Sequence, residues 1–260
     1  MTENTDPTSA FRLDGKTALV TGGSRGLGKE MVWAFARSGA DVVIASRKED
    51  ACVALAKQIE NETGQRALAV GCHVGQWEQC DLLAERALAH FGRVDVLVNN
   101  AGSSPRYRSV VEISEELYDK MMSVNLKGAF RLAAVLGTAM FKGDGGSIIN
   151  VSSIAADRPT PVEIPYGAAK AGLHNLTKSL ARTFAPKVRV NAIMPGAFMT
   201  DISKAWPAEM VKGLEKTIPL NRGGAPEEIV GAALFLASEA SSYTTGSILK
   251  VDGGAAYGMG

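Results

Sequence analysis

The chain has 260 residues, 46% hydrophobic and 21% charged, enough apolar material for a sizeable core and too much for a disordered chain. With 28 Lys+Arg against 27 Asp+Glu, the formal charge of +1 excludes the one-signed field of a general nucleic-acid or membrane-surface binder. Three cysteines, Cys52, Cys72 and Cys80, are an odd number, which disfavours a secreted disulfide framework and predicts a reducing, cytoplasmic setting.

Residues 1–10 are polar, lack the apolar run of a signal peptide and read as a frayed tail. No uncharged apolar stretch reaches the roughly 18 residues of a membrane span. Residues 11–260 then alternate short β-branched runs with helical patterns. Strands are predicted at Thr17–Thr21, Asp41–Ser46, Arg66–Cys72, Val94–Asn99, Ser147–Ser152, Val188–Ile193 and Ser247–Val251. They are nearly continuous in apolar residues, as in strands buried on both faces. Helices are predicted near Leu27–Ser38, Asp50–Glu60, Gln76–Phe91, Glu115–Phe141, Ile164–Phe184 and Pro226–Ser238.

Repeated βα units with short connections mean a parallel sheet covered on both sides, in a single α/β domain. Seven strands and a glycine-rich turn after the first favour an open, doubly wound Rossmann-type sheet over a closed eight-stranded barrel. Thr200 to Gly224 breaks the rhythm with Trp206, Met210 and Leu214, and reads either as a substrate lid or as an extra packed helix.

The first βα turn is Thr21-Gly22-Gly23-Ser24-Arg25-Gly26-Leu27-Gly28. Gly22 suits the tight turn, Gly26 the backbone's approach to a pyrophosphate, and Gly28 close helix–strand packing. A dinucleotide site reading NAD(H) would carry an acid at the end of the second strand. Here Ser46-Arg47-Lys48 stands there instead. Arg25 and Arg47 match the geometry of a 2′-phosphate, so NADP(H) is expected over NAD(H).

Tyr166 and Lys170, four apart on a helical pattern, share one face. A phenol titrates near 10, and an adjacent ammonium is expected to lower that value toward neutrality. Ser153, just past a strand end, offers a hydroxyl to a substrate oxygen.

Asn99-Asn100-Ala101-Gly102, Asn125, Asn191-Ala192-Ile193-Met194-Pro195-Gly196 and Val251-Asp252-Gly253-Gly254 complete an ordered set from about Leu13 to Gly254. On these motifs the sequence resembles the short-chain dehydrogenase/reductase family, its 3-oxoacyl thioester reductase group in particular. The resemblance implies that Tyr166 is the general acid or base and that Lys170 lowers its pKa and binds the nicotinamide ribose. It further implies that Ser153 polarises the carbonyl and that Asn125, through a backbone kink and a water, supports a proton relay. Cofactor contacts are implied at Gly22, Ser24, Arg25, Gly26, Leu27, Gly28, Ser46, Arg47, Val74, Asn100, Ala101, Gly102, Tyr166, Lys170, Pro195, Gly196, Phe198 and Thr200. His73 replaces the family's frequent Asp beside adenine, which puts that contact in doubt. No metal is expected, because Cys72, His73 and Cys80 have poor ligand spacing.

His90 and His174 read as surface or interface residues without partners. A small-molecule carbonyl or alcohol substrate and a homotetramer are implied. A sugar, polyol or small-ketone dehydrogenase using NAD(H) is the alternative enzyme. A nucleotide-sensing binding protein is the non-enzymatic one, disfavoured by the intact Ser153, Tyr166 and Lys170.

Overall fold

A computed structural model describes residues 6–105, 107–200 and 208–257 of the chain. Seven parallel strands form one sheet: β1 (Thr17–Thr21), β2 (Asp41–Ser46), β3 (Ala67–Gly71), β4 (Val96–Asn99), β5 (Gly146–Val151), β6 (Val188–Pro195) and β7 (Ile248–Val251). Their spatial order is β3-β2-β1-β4-β5-β6-β7. The chain winds outward from β1 to β3, then returns to lay β4 against the other side of β1. That reversal leaves a crevice between the β1 and β4 ends, where ligands of open α/β sheets bind.

Alternation along the strands supplies two cores. Ala18, Val20, Val42, Ile44, Val96 and Val98 face α1 (Gly26–Arg37), α2 (Glu49–Thr63) and α8 (Val230–Ala237). Leu19, Val43, Ala45, Leu97, Ile148 and Val190 face α3 (Trp77–Phe91), α5 (Gly128–Lys142) and α6 (Ile164–Thr183). Burying a large side chain on either face, such as Phe35 or Leu136, stabilises the fold by about 1.5–3 kcal/mol. This is the doubly wound, single-domain fold that the patterning predicts.

The differences are local. The helix expected over Glu115–Phe141 is two: α4 (Glu115–Met122) and α5, separated by a π-helical turn at Ser123–Lys127. There the Gly128 N–H donates to Ser123 O, five residues back. The segment expected over Pro226–Ser238 opens with a 3₁₀ turn at Pro226–Ile229 before α8. Within the irregular stretch after Thr200 lies α7 (Ala208–Lys216), while residues 201–207 fall outside the described ones, as do residues 1–5 of the expected tail. Asp6 caps a 3₁₀ turn at Pro7–Phe11. Among the described residues no helix is long and apolar enough to cross a membrane.

Candidate active site

The strands' C-terminal ends open on a cleft of about 680 Å³, within the range of small-molecule sites. Every residue expected above to bind cofactor or act in catalysis lines it, except Asn125, which is buried behind its wall. The β1 and β4 ends are stitched together at its floor. Thr21 Oγ1 accepts from the Asn100 and Ala101 N–H groups at 3.0 and 3.1 Å, and Asn100 Nδ2 donates to Thr21 O at 2.8 Å. Gly22 turns the chain here with φ +64°, and a Cβ at Gly28 would run into Gly22 O and lie 2.5 Å from Asn100 Nδ2. Gly22 and Gly28 therefore have no room for side chains, and the turn presents backbone N–H groups at the start of α1.

At the end of β2, Ser24 Oγ donates to Ser46 Oγ at 3.0 Å, and Ser46 Oγ in turn donates to Lys48 O at 3.2 Å. Arg25, Arg47 and Lys48 line this end of the cleft, and none pairs with a carboxylate among the described residues. A glycine-floored helix start and an unneutralised cationic corner in one cleft fit a phosphorylated dinucleotide. Nearby, His73 Nδ1 accepts from the Gly75 N–H at 3.2 Å, so the neutral ring carries its proton on Nε2.

At the opposite end α6 enters beside β5. Ser153 caps the 3₁₀ turn Ile154–Ala156, its Oγ accepting from the Ala155 N–H at 3.2 Å. Burial pushes the Tyr166 phenol up to about 12; a hydrogen bond with Ser153 opposes this, and the Glu163 charge adds to it. Lys170 is buried, which pulls its pKa down to about 8. Its Nζ donates to Val151 O at 2.8 Å and lies 5.7 Å from the centroid of the Tyr166 ring.

This corrects one expectation: spacing puts Lys170 and Tyr166 on one face, yet the ammonium does not lower the phenol's pKa here. Burial is the largest influence on the phenol, and Lys170 Nζ is turned to the strand backbone. Asn125 holds the π-turn rather than facing the cleft. Its Nδ2 donates to Ser103 O at 2.8 Å and Met121 O at 2.9 Å, and its Oδ1 accepts from the Ser103 N–H at 3.1 Å. The kink expected at this residue is present, at the sort of site where π-turns recur.

His174 is the second correction. It is buried on α6, with Nε2 2.7 Å from Ser152 Oγ and Nδ1 3.3 Å from Asp157 Oδ1. Its place four residues after Lys170 was the available signal; its partners are distant in sequence. Ser104 and Glu163 also line the cleft, as does Lys120, which sequence reasoning did not single out. Ser104 Oγ donates to Glu163 Oε1 at 3.1 Å.

Comparison with known proteins follows the same lines. The family model described as enoyl-(acyl carrier protein) reductase matches residues 22–256. A 3-oxoacyl-(acyl-carrier-protein) reductase of Chlamydia trachomatis is 39% identical over 94% of this chain and 98% of its own length. A D-threitol dehydrogenase of Mycolicibacterium smegmatis is 36% identical, over 94% of both. Among solved structures, a gluconate 5-dehydrogenase from Burkholderia cenocepacia, in complex with NADP and tartrate, superposes with a TM-score of 0.91. It is 34% identical, and the match covers 97% of this chain and 99% of that one.

Proposed function

The chain belongs to the short-chain dehydrogenase/reductase family, and on that premise we propose an NADP(H)-dependent oxidoreductase acting on a carbonyl or secondary alcohol. The carrying observation is the division of one cleft, with Ser153, Tyr166 and Lys170 at one end and an unneutralised Arg25–Arg47–Lys48 corner at the other. Residues 21–28 and the start of α1 would hold the pyrophosphate, and Arg47 with Arg25 the 2′-phosphate. When bound, the nicotinamide supplies or accepts the hydride.

The chain's own residues handle the oxygen and its proton. Ser153 Oγ holds the substrate oxygen, and Tyr166 gives its phenolic proton to that oxygen in reduction or takes it in oxidation. Lys170 fixes the strand end through Val151 O and stands ready for the ribose. Asn125 keeps the loop after β4 in place through Ser103. The stretch 200–224 acts as a substrate lid, and the family's usual homotetramer, in the cytoplasm, is part of the same reading. Phe130 and Phe141, exposed on α5, suit such an assembly.

A 3-oxoacyl thioester is the first substrate class to test. A sugar or polyol, taken with NAD(H) or NADP(H), is the second reading, favoured by the carboxylate of Glu163 in the cleft three residues before Tyr166. The experiment follows NADPH and NADH oxidation over acetoacetyl thioesters, ketoses, diketones and quinones, for the wild type and Tyr166→Phe. The variant is expected to keep its cofactor affinity and lose turnover. Unchanged turnover would overturn the assignment of Tyr166.

A further inference from the structure

Three successive turns of one face of α6 meet three successive residues at the end of β5. Tyr166 engages Ser153, Lys170 holds Val151 O, and His174 meets Ser152 Oγ. The first two pairs belong to the proposed chemistry; the third does not. Ser152 is 2% exposed, so the hydroxyl–imidazole–carboxylate series Ser152–His174–Asp157 offers no nucleophile to a substrate carbonyl. What it can do is hold.

Ring chemistry fixes how. Asp157 can only accept, so Nδ1 carries the proton of the neutral imidazole and Nε2 accepts from the Ser152 hydroxyl. Burial keeps the ring toward this neutral form. Ser152 immediately precedes Ser153, and Asp157 closes the 3₁₀ turn that Ser153 caps. One side chain therefore ties down both ends of the turn carrying the serine. Lys250 on β7 steadies the outer end, with its Nζ 3.5 Å from Asp157 Oδ2.

We propose that His174 is a positioning residue for the reaction: by stapling Ser152 and Asp157 to α6 it sets Ser153 against Tyr166. The proposal rests on the reading of Ser153 and Tyr166 given above. A misplacement of about 1 Å at reacting groups can cost a hundredfold in rate. The consequence of releasing the staple is therefore expected in kcat and not in cofactor binding.

The test is a double-mutant cycle on the best substrate of the panel with NADPH. His174→Phe is expected to lower kcat roughly tenfold to a hundredfold. Its NADPH dissociation constant, followed by nicotinamide fluorescence, should stay within about twofold. In a Ser153→Ala background the same substitution is expected to cost less than about twofold, since the group it positions is gone. His174→Gln, which can still accept from Ser152, should recover most of the loss, and His174→Leu carries the cycle if the Phe variant does not fold. An equal loss in both backgrounds would overturn the proposal, as would full activity in His174→Phe. Indifference to Ser153→Ala itself would instead overturn the functional reading beneath it. Amide hydrogen exchange gives a substrate-free readout: residues 153–157 should exchange faster in His174→Phe, and unchanged exchange there also overturns the staple.

Discussion

Lys170 is 3% exposed, and replacing it with Met is expected to stabilise the free protein while abolishing turnover. Burial is the cause of its lowered pKa, from an ordinary 10.5 to about 8. The drop from 10.5 to about 8 corresponds to about 3 kcal/mol held against the charged form at neutral pH. The Lys170 Nζ bond to Val151 O, a charged donor on a neutral acceptor, returns about 1–2 kcal/mol when present and is lost in the variant. The net expectation is a gain of about 1–2 kcal/mol, or about 4 °C in Tm for a chain of this length.

The pH dependence gives the sharper check. Below about 8 both folded and unfolded chains carry the Lys170 proton, and the penalty stands in full. Between about 8 and 10.5 the folded protein has released it and the unfolded chain has not, so wild-type stability rises with pH. Urea unfolding of cofactor-free wild type and Lys170→Met, at neutral and alkaline pH, reads both effects. Cofactor must be absent because binding would stabilise the wild type selectively. A variant less stable at neutral pH, or an advantage that does not shrink toward pH 10.5, would refute the argument from burial.

Arg47→Ala is expected to raise the KM for NADPH by about tenfold or more and leave that for NADH unchanged; equal effects would remove Arg47 from the 2′-phosphate. In alcohol oxidation Tyr166 must first lose its proton, so the rate rises with pH toward the phenol's pKa. Glu163→Gln deletes a charge that raises this pKa, and the inflection of the pH–rate profile should move down; an unmoved inflection refutes the coupling. Gly28→Ala would press a Cβ against Gly22 O and Asn100 Nδ2, so a stability loss of about 1–3 kcal/mol and weaker NADPH binding are expected. A normal Tm would show that the turn can yield.

Much of this was legible in the residues. Strands such as Asp41–Ser46 are apolar on both faces because helices cover both, and that pattern survives in the linear sequence. The Tyr166–Lys170 pair is legible because helical spacing is local. The π-turn at Ser123–Lys127 was legible only as the kink that the family resemblance implies at Asn125, since the apolar rhythm of α4 and α5 runs on through one extra residue. The burial that raises the Tyr166 phenol, and the direction of Lys170, were not legible because both are tertiary properties. His174 was passed over because Ser152 and Asp157 lie 22 and 17 residues away and reach it only after α6 docks on β5.

The extra residue in Ser123–Lys127 has a consequence for how this segment tolerates length change. A straight helix advances about 100° per residue, so deleting one position there would let α4 and α5 fuse into a regular helix. Local hydrogen bonding would improve, yet everything on the α4 side would rotate by about 100° relative to α5. Lys120 would swing away from the cleft it now lines, and Met121 O would no longer meet the Asn125 amide. Met121, 1% exposed on α4, would be turned out of its core at the same time, so a shortened chain loses packing together with the anchor of Ser103. Joint loss of function and of stability is the signature to look for in single-residue deletions across this turn.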